Sequence, residues 1–288
     1  MAHIAWIGAG VMGRPMAGHL AAHGHTVSID TRRFDTLTGV EEQFRLHPCR
    51  TIAETVRDAE YIFVMVGYPW DVEEVFTGPD GIFAHARPGT LAVDMTTSSP
   101  ALAQRLYELG QEKGIRVMDA PVSGGDSGAR NATLSIMAGG DAADFEEAAP
   151  LFACMGKSIH HMGPAGCGQH TKAANQIAVA GATAAYTEAL VYAKQAGLDP
   201  HAMLSAIGGG AAGSWQIANM APRVLKGDFA PGFFIKHFIK DMHIIQEECR
   251  SRKVELEMLN KVCSLYESLA EDGLEDEGTQ ALIRYYQD

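Results

Sequence analysis

The sequence predicts an α/β protein: an N-terminal doubly wound parallel sheet and an all-α C-terminal domain, joined by a long interdomain helix. Short apolar runs alternate with helix-length segments over roughly the first 163 residues, as they do when crossover helices connect parallel strands. After this point the strand patterns stop, and one helical segment runs from about Gly166 to Ala196. We therefore predict two domains, residues 1–163 and residues 164–288.

The predicted strands are mostly continuous apolar runs, which is typical of strands covered by helices on both faces of a sheet. In chain order they are Ile4–Ile7, Thr26–Asp30, Tyr61–Val66, Leu91–Asp94, Arg116–Asp119, Leu134–Ala138 and Ser158–His161. The helical segments predicted among the earlier strands are Val11–His23, Ile52–Ala59 and Pro100–Lys113.

The C-terminal part begins with an alanine-rich helix, which is slim enough for other helices to pack closely around it. Gly197 is placed to end this helix in a left-handed conformation. Asp199 and Pro200 then supply an N-cap and a first-turn proline for the next helix. The rest of the chain is predicted to be helical, with a glycine-rich interruption at Gly208–Gly213.

The composition is that of a globular protein, with 47% hydrophobic and 20% charged residues and no apolar run long enough to span a membrane. The formal net charge of −12 disfavours nucleic acid and anionic membrane surfaces as partners. The five cysteines are odd in number and contain no CxxC pair, which favours a reducing, cytoplasmic location over a disulfide framework. The histidines include no HExxH motif, and no metal site is expected.

Residues 8–13 read GAGVMG, a GxGxxG motif between the first predicted strand and the first predicted helix. This context is typical of a dinucleotide-binding Rossmann turn. We expect Gly8 to make the tight turn, Gly10 to admit the pyrophosphate and Gly13 to let the helix pack on the strand. Val11 and Met12 lie in the same turn, where exposed N–H groups and the helix dipole favour the anion. A glycine-rich turn without a ligand is the alternative.

Asp30 ends the second predicted strand, 22 residues after Gly8, where a carboxylate can bind both hydroxyls of the adenosine ribose. Such a carboxylate repels the extra phosphate of NADP and so favours NAD. Thr31, Arg32 and Arg33 follow directly. An arginine here can instead take the 2′-phosphate, stack on the adenine or lie in solvent, so NADP stays possible.

Residues 119–125 read DAPVSGG, a strand end followed by a turn of small residues. The N–H groups of this turn and the Ser123 hydroxyl are suited to hold a carboxylate, although a plain turn has the same composition. Lys240 and Asp241 lie in an apolar and aromatic stretch. There a lysine places positive charge beside a substrate or nicotinamide, or forms a surface ion pair.

Lys172 lies about two turns into the long helix, which is otherwise rich in alanine. Asn175 and Gln176 follow at spacings of three and four, on the same helical face. A lysine in this setting is a candidate catalytic residue, and an exposed lysine near a helix start is the alternative.

Together these stretches resemble the β-hydroxyacid dehydrogenase family, which includes 3-hydroxyisobutyrate dehydrogenases and tartronate semialdehyde (2-hydroxy-3-oxopropionate) reductases. The resemblance covers essentially the whole chain. Its motifs are IGAGVMGRPMAGHL at the first turn, DMTTSSP at 94–100, DAPVSGGDSGARNATLSIMAGG at 119–140, GPAGCGQHTKAANQ at 163–176 and KD at 240–241. It implies an oxidoreductase that moves a hydride between NAD(P) and a small β-hydroxy acid or its semialdehyde. It also implies a homodimer or homotetramer.

The resemblance assigns a role to each cluster. Lys172 is implied as the general acid/base that exchanges a proton with the substrate hydroxyl, since desolvation and nearby positive charge favour a neutral lysine. Ser123, Gly124 and Gly125 are implied to bind the substrate carboxylate. Asn175, Gln176 and Lys240 are implied to line the substrate site, Lys240 also the nicotinamide, and Thr96 or Thr97, Val66 and Gly67 to contact the nicotinamide half of the cofactor.

Two positions depart from the family pattern. Asn131 stands in GARNATL, where the substrate signature of the family usually has glycine, and predicts an altered local backbone without loss of the site. Gln176 stands where many relatives carry asparagine, which leaves the asparagine role to Asn175 and resembles the tartronate semialdehyde reductase branch.

Three other functions share parts of this pattern. A 6-phosphogluconate dehydrogenase normally has a much longer helical region after residue 163, and an imine reductase usually replaces the lysine at position 172. A non-catalytic cofactor-binding sensor does not need Ser123, Lys172, Asn175 and Lys240 together. Trp215 and Phe233–Phe234 are candidates for the specificity pocket, with core packing as the alternative.

Overall fold

The computed structural model describes residues 1–287, which form two compact units. The first unit is Met1–Lys172, and the second begins at Ala173. The first unit extends beyond residue 163 because the N–H groups of Gly166 and Gln169 donate to the carboxylate of Asp119. The assignment of cofactor and substrate binding to separate domains stays a prediction.

Within the described residues, the first unit contains one nine-stranded sheet of order β3-β2-β1-β4-β5-β6-β8-β7, with β9 paired to β8. The strands are β1 His3–Ile7, β2 Thr26–Asp30, β3 His47–Pro48, β4 Tyr61–Val64, β5 Leu91–Asp94, β6 Arg116–Asp119, β7 Val122–Ser123, β8 Leu134–Gly139 and β9 Gly156–Gly163. Each predicted strand is present. The sequence did not predict β3 and β7, because runs of two residues show no periodicity.

Strands β1 to β6 are parallel, so the predicted doubly wound sheet is confirmed. One edge adds antiparallel pairing: β8 runs opposite to β6 and β7, while β9 runs parallel to β8. The chain order reverses between β1 and β4, on either side of the first turn. In open α/β sheets, ligands bind outside the carboxyl ends of the strands at such a switch point.

Helices cover both faces of this sheet, and side chains alternate between the two faces along each strand. On β1, Trp6 joins the core that includes Met16 and Phe152, while Ile7 joins the opposite core with Phe76 and other apolar residues. The helices are α1 Gly13–Ala22, α2 Val40–Phe44, α3 Ile52–Val56, α4 Pro69–Thr77, α5 Ile82–His85, α6 Pro100–Lys113, α7 Gly125–Arg130 and α8 Ala142–Ala153, with a 3-10 segment at Phe34–Leu37.

The long helix α9 spans Cys167–Gln195, close to the predicted range. Gly197 follows it with φ +72°, and the Asp199 carboxylate accepts the His201 N–H at 2.8 Å, so both predicted caps are confirmed. In the second unit, Ala180 of α9 packs in a core with Phe238 and other apolar residues. Its further helices are α10 Pro200–Gly208, α11 Trp215–Asn219, α12 Ala221–Leu225, α13 Ile235–Arg252 and α14 Glu257–Glu271, with a 3-10 segment at Thr279–Tyr286. Among the described residues, no helix is long and apolar enough to cross a membrane.

Candidate active site

The GxGxxG turn after β1 is tight at two of its glycines and open at the third. A Cβ atom at Gly8, where φ is +106°, would lie 2.0 Å from the carbonyl oxygen of Met65. A Cβ atom at Gly13 would lie 2.0 Å from the carbonyl oxygen of Gly8. At Gly10, by contrast, a Cβ atom would meet no atom within 4 Å. The turn is thus compressed against the sheet and open outward at Gly10, as a pyrophosphate requires, so these residues fit a dinucleotide.

A buried indole, that of Trp6, forms a hydrogen bond with the same turn. The Trp6 Nε1–H donates to the Gly8 carbonyl oxygen at 2.9 Å, and the Trp6 ring stacks on Phe63 with centroids 5.6 Å apart. Among the described residues, no side chain caps the N-terminus of α1 at Met12, and Val11 beside it is exposed. An anion bound there is stabilised by the helix N–H groups and dipole.

Asp30 closes the carboxyl end of β2 next to this turn. Its main-chain oxygen accepts the Gly8 N–H at 2.9 Å, and its side chain is buried, which raises the pKa of the carboxyl above its usual value. Arg32 and Arg33 are both exposed. The guanidinium Nη1 of Arg32 lies 2.9 Å from the Oδ1 atom of Asp71, a residue that sequence analysis did not single out.

Two of the residues predicted for the nicotinamide half of the cofactor are joined by a hydrogen bond. The Thr96 hydroxyl accepts the Val66 N–H at 3.0 Å, at the carboxyl ends of β5 and β4. Gln169 holds the same region, since its side-chain amide donates to the Thr96 carbonyl at 2.7 Å and accepts from the Ser98 N–H at 2.9 Å. Sequence analysis missed Gln169, because an amide on a helix carries no signal of its distant partners.

The first turn of α9 is tied to the end of β6. The Asp119 carboxylate accepts the N–H of Gly166 at 2.7 Å and the N–H of Gln169 at 2.8 Å. Burial raises the pKa of Asp119 to about 6, against the opposing effect of these hydrogen bonds. Gly168 packs so closely that its Cβ atom would lie 2.7 Å from Asp119 Oδ2. This anchorage fixes the turn that leads to Lys172, which is buried with 7% exposure.

The turn predicted to hold a carboxylate has a glycine-dependent backbone. Ser123 ends β7 and is half-buried. Gly124 and Gly125 follow with φ of +130° and +62°, a left-handed pair that residues with a side chain rarely adopt. Successive N–H groups in such a turn converge on a concave, anion-binding face.

In the second unit, a hydrogen-bonded chain joins the remaining predicted substrate residues. The Asn175 amide donates to Gln176 Oε1 at 2.8 Å, and the Gln176 amide donates to Asp241 Oδ2 at 2.6 Å. Lys240 Nζ lies 2.9 Å from Asp241 Oδ1, and the side chains are 10% and 1% exposed, respectively. Asp241 therefore connects α9 to α13, and its buried charge is balanced by the lysine and the amide.

Comparisons with known proteins agree with this geometry. The family profile of the NAD binding domain of 6-phosphogluconate dehydrogenase matches residues 3–163, and that of the NAD-binding region of NADP-dependent 3-hydroxyisobutyrate dehydrogenase matches residues 166–286. The chain belongs to the β-hydroxyacid dehydrogenase family. It is thus an NAD(P)-dependent hydroxyacid dehydrogenase that acts on a small hydroxy acid, as the sequence predicted.

Individual members of this family resemble the chain over its full length. An uncharacterized oxidoreductase of Bacillus subtilis (strain 168) is 46% identical, over 98% of both chains. The 2-hydroxy-3-oxopropionate reductase of Escherichia coli (strain K12) is 36% identical, over 98% of this chain and 96% of its own. The structure of Mycobacterium tuberculosis 3-hydroxyisobutyrate dehydrogenase with L-serine superposes with a TM-score of 0.90, at 29% identity over 100% of both chains.

The backbone is irregular next to Asn131, the residue that departs from the family pattern. Asn131 itself has an ordinary φ of −97° and ψ of 5°. The next residue, Ala132, has φ +52° and carries the left-handed conformation. That this local backbone is altered relative to the family stays a prediction.

One group of possible metal ligands occurs among residues 1–287: His243, Cys263 and Glu267. The His243 Nε2 and Glu267 Oε1 atoms are paired at 2.7 Å, and Cys263 Sγ lies 3.7 Å from the same oxygen. Burial, and then Glu267, raise the pKa of Cys263 to about 12, so the thiol stays protonated at neutral pH. The geometry is that of an exposed, hydrogen-bonded His243–Glu267 pair beside a buried thiol.

Proposed function

We propose that this protein is a cytoplasmic 3-hydroxyisobutyrate dehydrogenase-like enzyme, with Lys172 as its general acid/base and NAD as its preferred cofactor. The observation that carries the proposal is the anchorage of α9 to the end of β6 through Asp119, which supports a fixed position for the buried Lys172. Much of such catalysis is positioning, because the substrate carbon must be held within reach of the cofactor. Like other members of its family, the enzyme is proposed to be a homodimer or homotetramer.

The chemistry asked of Lys172 is the transfer of one proton. When bound, the nicotinamide accepts or supplies the hydride. As the substrate C–H bond breaks, the hydroxyl proton passes to the lysine Nζ atom, and in the reverse reaction Nζ returns it to the carbonyl oxygen. Burial supports this role, since removing a lysine from water favours the neutral form that acts as base.

The substrate carboxylate is assigned to Ser123, Gly124 and Gly125. The hydroxyl and the N–H groups of the left-handed turn supply donors without a buried cation, so a carboxylate bound there gains hydrogen bonds directly. L-serine, which accompanies the related Mycobacterium tuberculosis enzyme, is itself a carboxylic acid with a β-hydroxyl group. This shared chemistry supports a short β-hydroxy acid as the substrate class.

Asn175, Gln176 and Lys240 are assigned to hold the substrate and, for Lys240, the nicotinamide side of the site. Asp241 is proposed as their positioning residue, because it pairs with Lys240 and receives the Gln176 amide. With Gln176 turned toward Asp241, the neighbouring Asn175 amide is held in turn by Gln176 Oε1. The chain of contacts thus supports one fixed arrangement of the three side chains.

Asp30, Thr31 and Arg32 are assigned to the adenosine ribose, and Val66, Gly67 and Thr96 to the nicotinamide half. The buried carboxyl of Asp30 at the end of β2 favours NAD, since two ribose hydroxyls can donate to it. The matched profile for residues 166–286 is named for an NADP-dependent enzyme, so the cofactor choice needs a direct test.

A specific observation favours a second substrate. Gln176 follows Asn175 in KAANQ, which resembles the tartronate semialdehyde reductase branch, and a 2-hydroxy-3-oxopropionate reductase is 36% identical to the chain. The alternative function is therefore reduction of tartronate semialdehyde to glycerate.

The experiment is a steady-state absorbance assay of reduced nicotinamide, run with NAD and NADP in their oxidised or reduced forms as each substrate requires. The panel is 3-hydroxyisobutyrate, glycerate, threonate, 4-hydroxybutyrate and tartronate semialdehyde. The proposal predicts the highest kcat/KM for 3-hydroxyisobutyrate with NAD. The highest value for tartronate semialdehyde or glycerate selects the alternative. Cofactor binding without turnover on any member of the panel would instead favour a cofactor-binding sensor.

A further inference from the structure

An ion pair between Arg32 and Asp71 joins the segments that follow β2 and β4, the two strands on either side of β1. Strands β2 and β4 flank β1 on either side. Arg32 lies two residues after β2, and Asp71 lies in the first turn of α4, which follows β4. Because their Nη1 and Oδ1 atoms are 2.9 Å apart, the pair lies across the switch point where the sheet admits a dinucleotide.

Asp71 is the fixed partner of this pair. Its side chain is 6% exposed, and its second oxygen accepts the Tyr68 N–H at 3.2 Å. Arg32 is the exposed partner, with 83% of its side chain accessible to solvent. The buried carboxylate therefore holds the exposed guanidinium and offsets its charge.

We propose that Asp71 is a specificity-determining residue, which favours NAD over NADP by holding and neutralising Arg32. The inference rests on the proposed role of Asp30 at the adenosine ribose. A 2′-phosphate at that ribose would meet the Asp30 carboxylate, and an arginine is the side chain that usually compensates for this repulsion. Arg32 is the arginine nearest to Asp30 in the sequence, and its guanidinium is already paired with the Asp71 carboxylate.

Arg14, another arginine near this position, does not replace Arg32. Arg14 is turned inward, where it donates to the carbonyl oxygens of Ala9 and Thr36 at 2.8 and 2.5 Å. Glu54 adds a second negative charge near Asp30, and its repulsion raises the Asp30 pKa further. The exposed Arg33 also lies close to Asp30 in the sequence. It is unchanged in every variant of the test below, so the comparison isolates the contribution of Arg32.

The test is a double-mutant cycle on the full chain, read out by direct binding. NADH and NADPH are titrated into the wild type, Asp71→Asn, Arg32→Ala and the double variant, and nicotinamide fluorescence reports each Kd. The Asp71→Asn substitution keeps an oxygen for the Tyr68 N–H but removes the charge that holds Arg32. Asp58→Asn is the matched control, because Asp58 also pairs with an arginine, Arg87, but on an exposed surface.

We expect Asp71→Asn to tighten NADPH binding by roughly three- to tenfold and to change NADH binding by less than about twofold, as one new charge-assisted contact would. The gain disappears when Arg32→Ala is added, and Asp58→Asn leaves the NADPH/NADH ratio unchanged. Arg32→Ala alone weakens NADH and NADPH binding to a similar extent, since Arg32 is assigned to the ribose that both cofactors share. It changes their ratio by less than about twofold, because Asp71 already neutralises the arginine.

An unchanged NADPH/NADH ratio in Asp71→Asn, or an equal gain in the double variant, would overturn the inference. If Asp71→Asn does not fold, Arg32→Ala decides: a several-fold loss of NADPH binding relative to NADH binding would show that Arg32 already serves the phosphate. Failure of the proposed function itself is distinct, because the wild type would then bind NADH no better than NADPH.

Discussion

The Asp119 carboxylate lies 2.8 Å from the main-chain nitrogen of Gln169, and this contact joins the end of β6 to the first turn of α9. The residues are 50 positions apart in the chain. The helix that carries the candidate catalytic lysine is thereby oriented by a buried carboxylate at the end of a sheet strand. The protonation state of Asp119 should consequently affect the stability of the fold, and the pH dependence of unfolding can measure this effect.

Asp119→Asn should lower the free energy of unfolding by about 1–3 kcal/mol, because the amide NH2 group, unlike either oxygen of Asp119, cannot accept one of the two buried N–H groups. The pH dependence has a definite sign. Folding raises the pKa of Asp119 to about 6. The contribution of Asp119 to the free energy of unfolding is therefore complete at pH values below the pKa that this group has in the unfolded chain. That contribution is lost as the pH rises through about 6. Urea titrations at pH values between the unfolded and folded pKa of Asp119 measure this effect. The difference in the free energy of unfolding between the wild type and Asp119→Asn should narrow as the pH increases.

Asp58→Asn, at an exposed ion pair, is the control for this pH series and should show no such narrowing. If the difference in the free energy of unfolding widens from acid to neutral pH, the hydrogen bonds to Asp119 lower its pKa by more than burial raises it.

Gly10→Ala should separate cofactor binding from folding. The methyl group would meet no protein atom within 4 Å, so the Tm should stay within about two degrees of the wild type. NADH binding should weaken at least about tenfold, because the pyrophosphate must approach the main chain closely there. Fluorescence titration and thermal unfolding of the same sample measure both. Gly13→Ala is the contrast, since its Cβ would lie 2.0 Å from the Gly8 oxygen and should lower the Tm.

Asp241→Asn should destabilise the second unit by about 3 kcal/mol, because it removes the carboxylate from a buried pair with Lys240. Asp276→Asn is the matched control: it breaks the exposed pair with Lys236, on the same helix as Lys240, and should cost less than about 1 kcal/mol. If Asp241 positions the substrate residues, the KM for the hydroxy acid also rises in Asp241→Asn and not in the control. Equal effects of the two variants on stability and KM would contradict this role.

Ala132→Gly should stabilise the protein by about 0.5–1 kcal/mol, since glycine adopts φ +52° without the cost that a Cβ atom incurs. Asn131→Gly, at the position where the sequence suggested the irregularity, should give no gain. Chemical denaturation of the two variants beside the wild type measures the contrast, and stabilisation by Asn131→Gly alone would contradict the backbone described here.

Local patterns were sufficient to predict the longer strands and several of the helices of this fold. The Pro100–Lys113 helix and the β2 and β5 strands have their predicted ends, because each is bounded by a clear cap or turn signal. The tight packing at Gly8 and Gly13 was equally predictable, since close approach of backbone to backbone admits only glycine. Such signals lie within a few residues of the structure they determine.

The buried polar contacts were not predictable in the same way. Gln169 reaches Thr96 across 73 positions, and Gln176 reaches Asp241 across 65. Each pair forms because a buried polar group must find a partner, and no periodicity or motif marks which distant residue that is. The antiparallel pairing of β8 escaped prediction for the same reason, since alternation of apolar residues does not encode strand direction.

The most direct test of the central claim is turnover of Lys172→Ala, measured together with NADH binding, with Lys194→Ala as an exposed control on the same helix. The account predicts that Lys172→Ala loses at least about a hundredfold in kcat on the preferred hydroxy acid, because a positioned acid/base is lost. Its Kd for NADH should stay within about twofold of the wild type, and Lys194→Ala should match the wild type in both. Near-normal turnover in Lys172→Ala, with cofactor binding intact, would contradict the assignment of Lys172 as the acid/base.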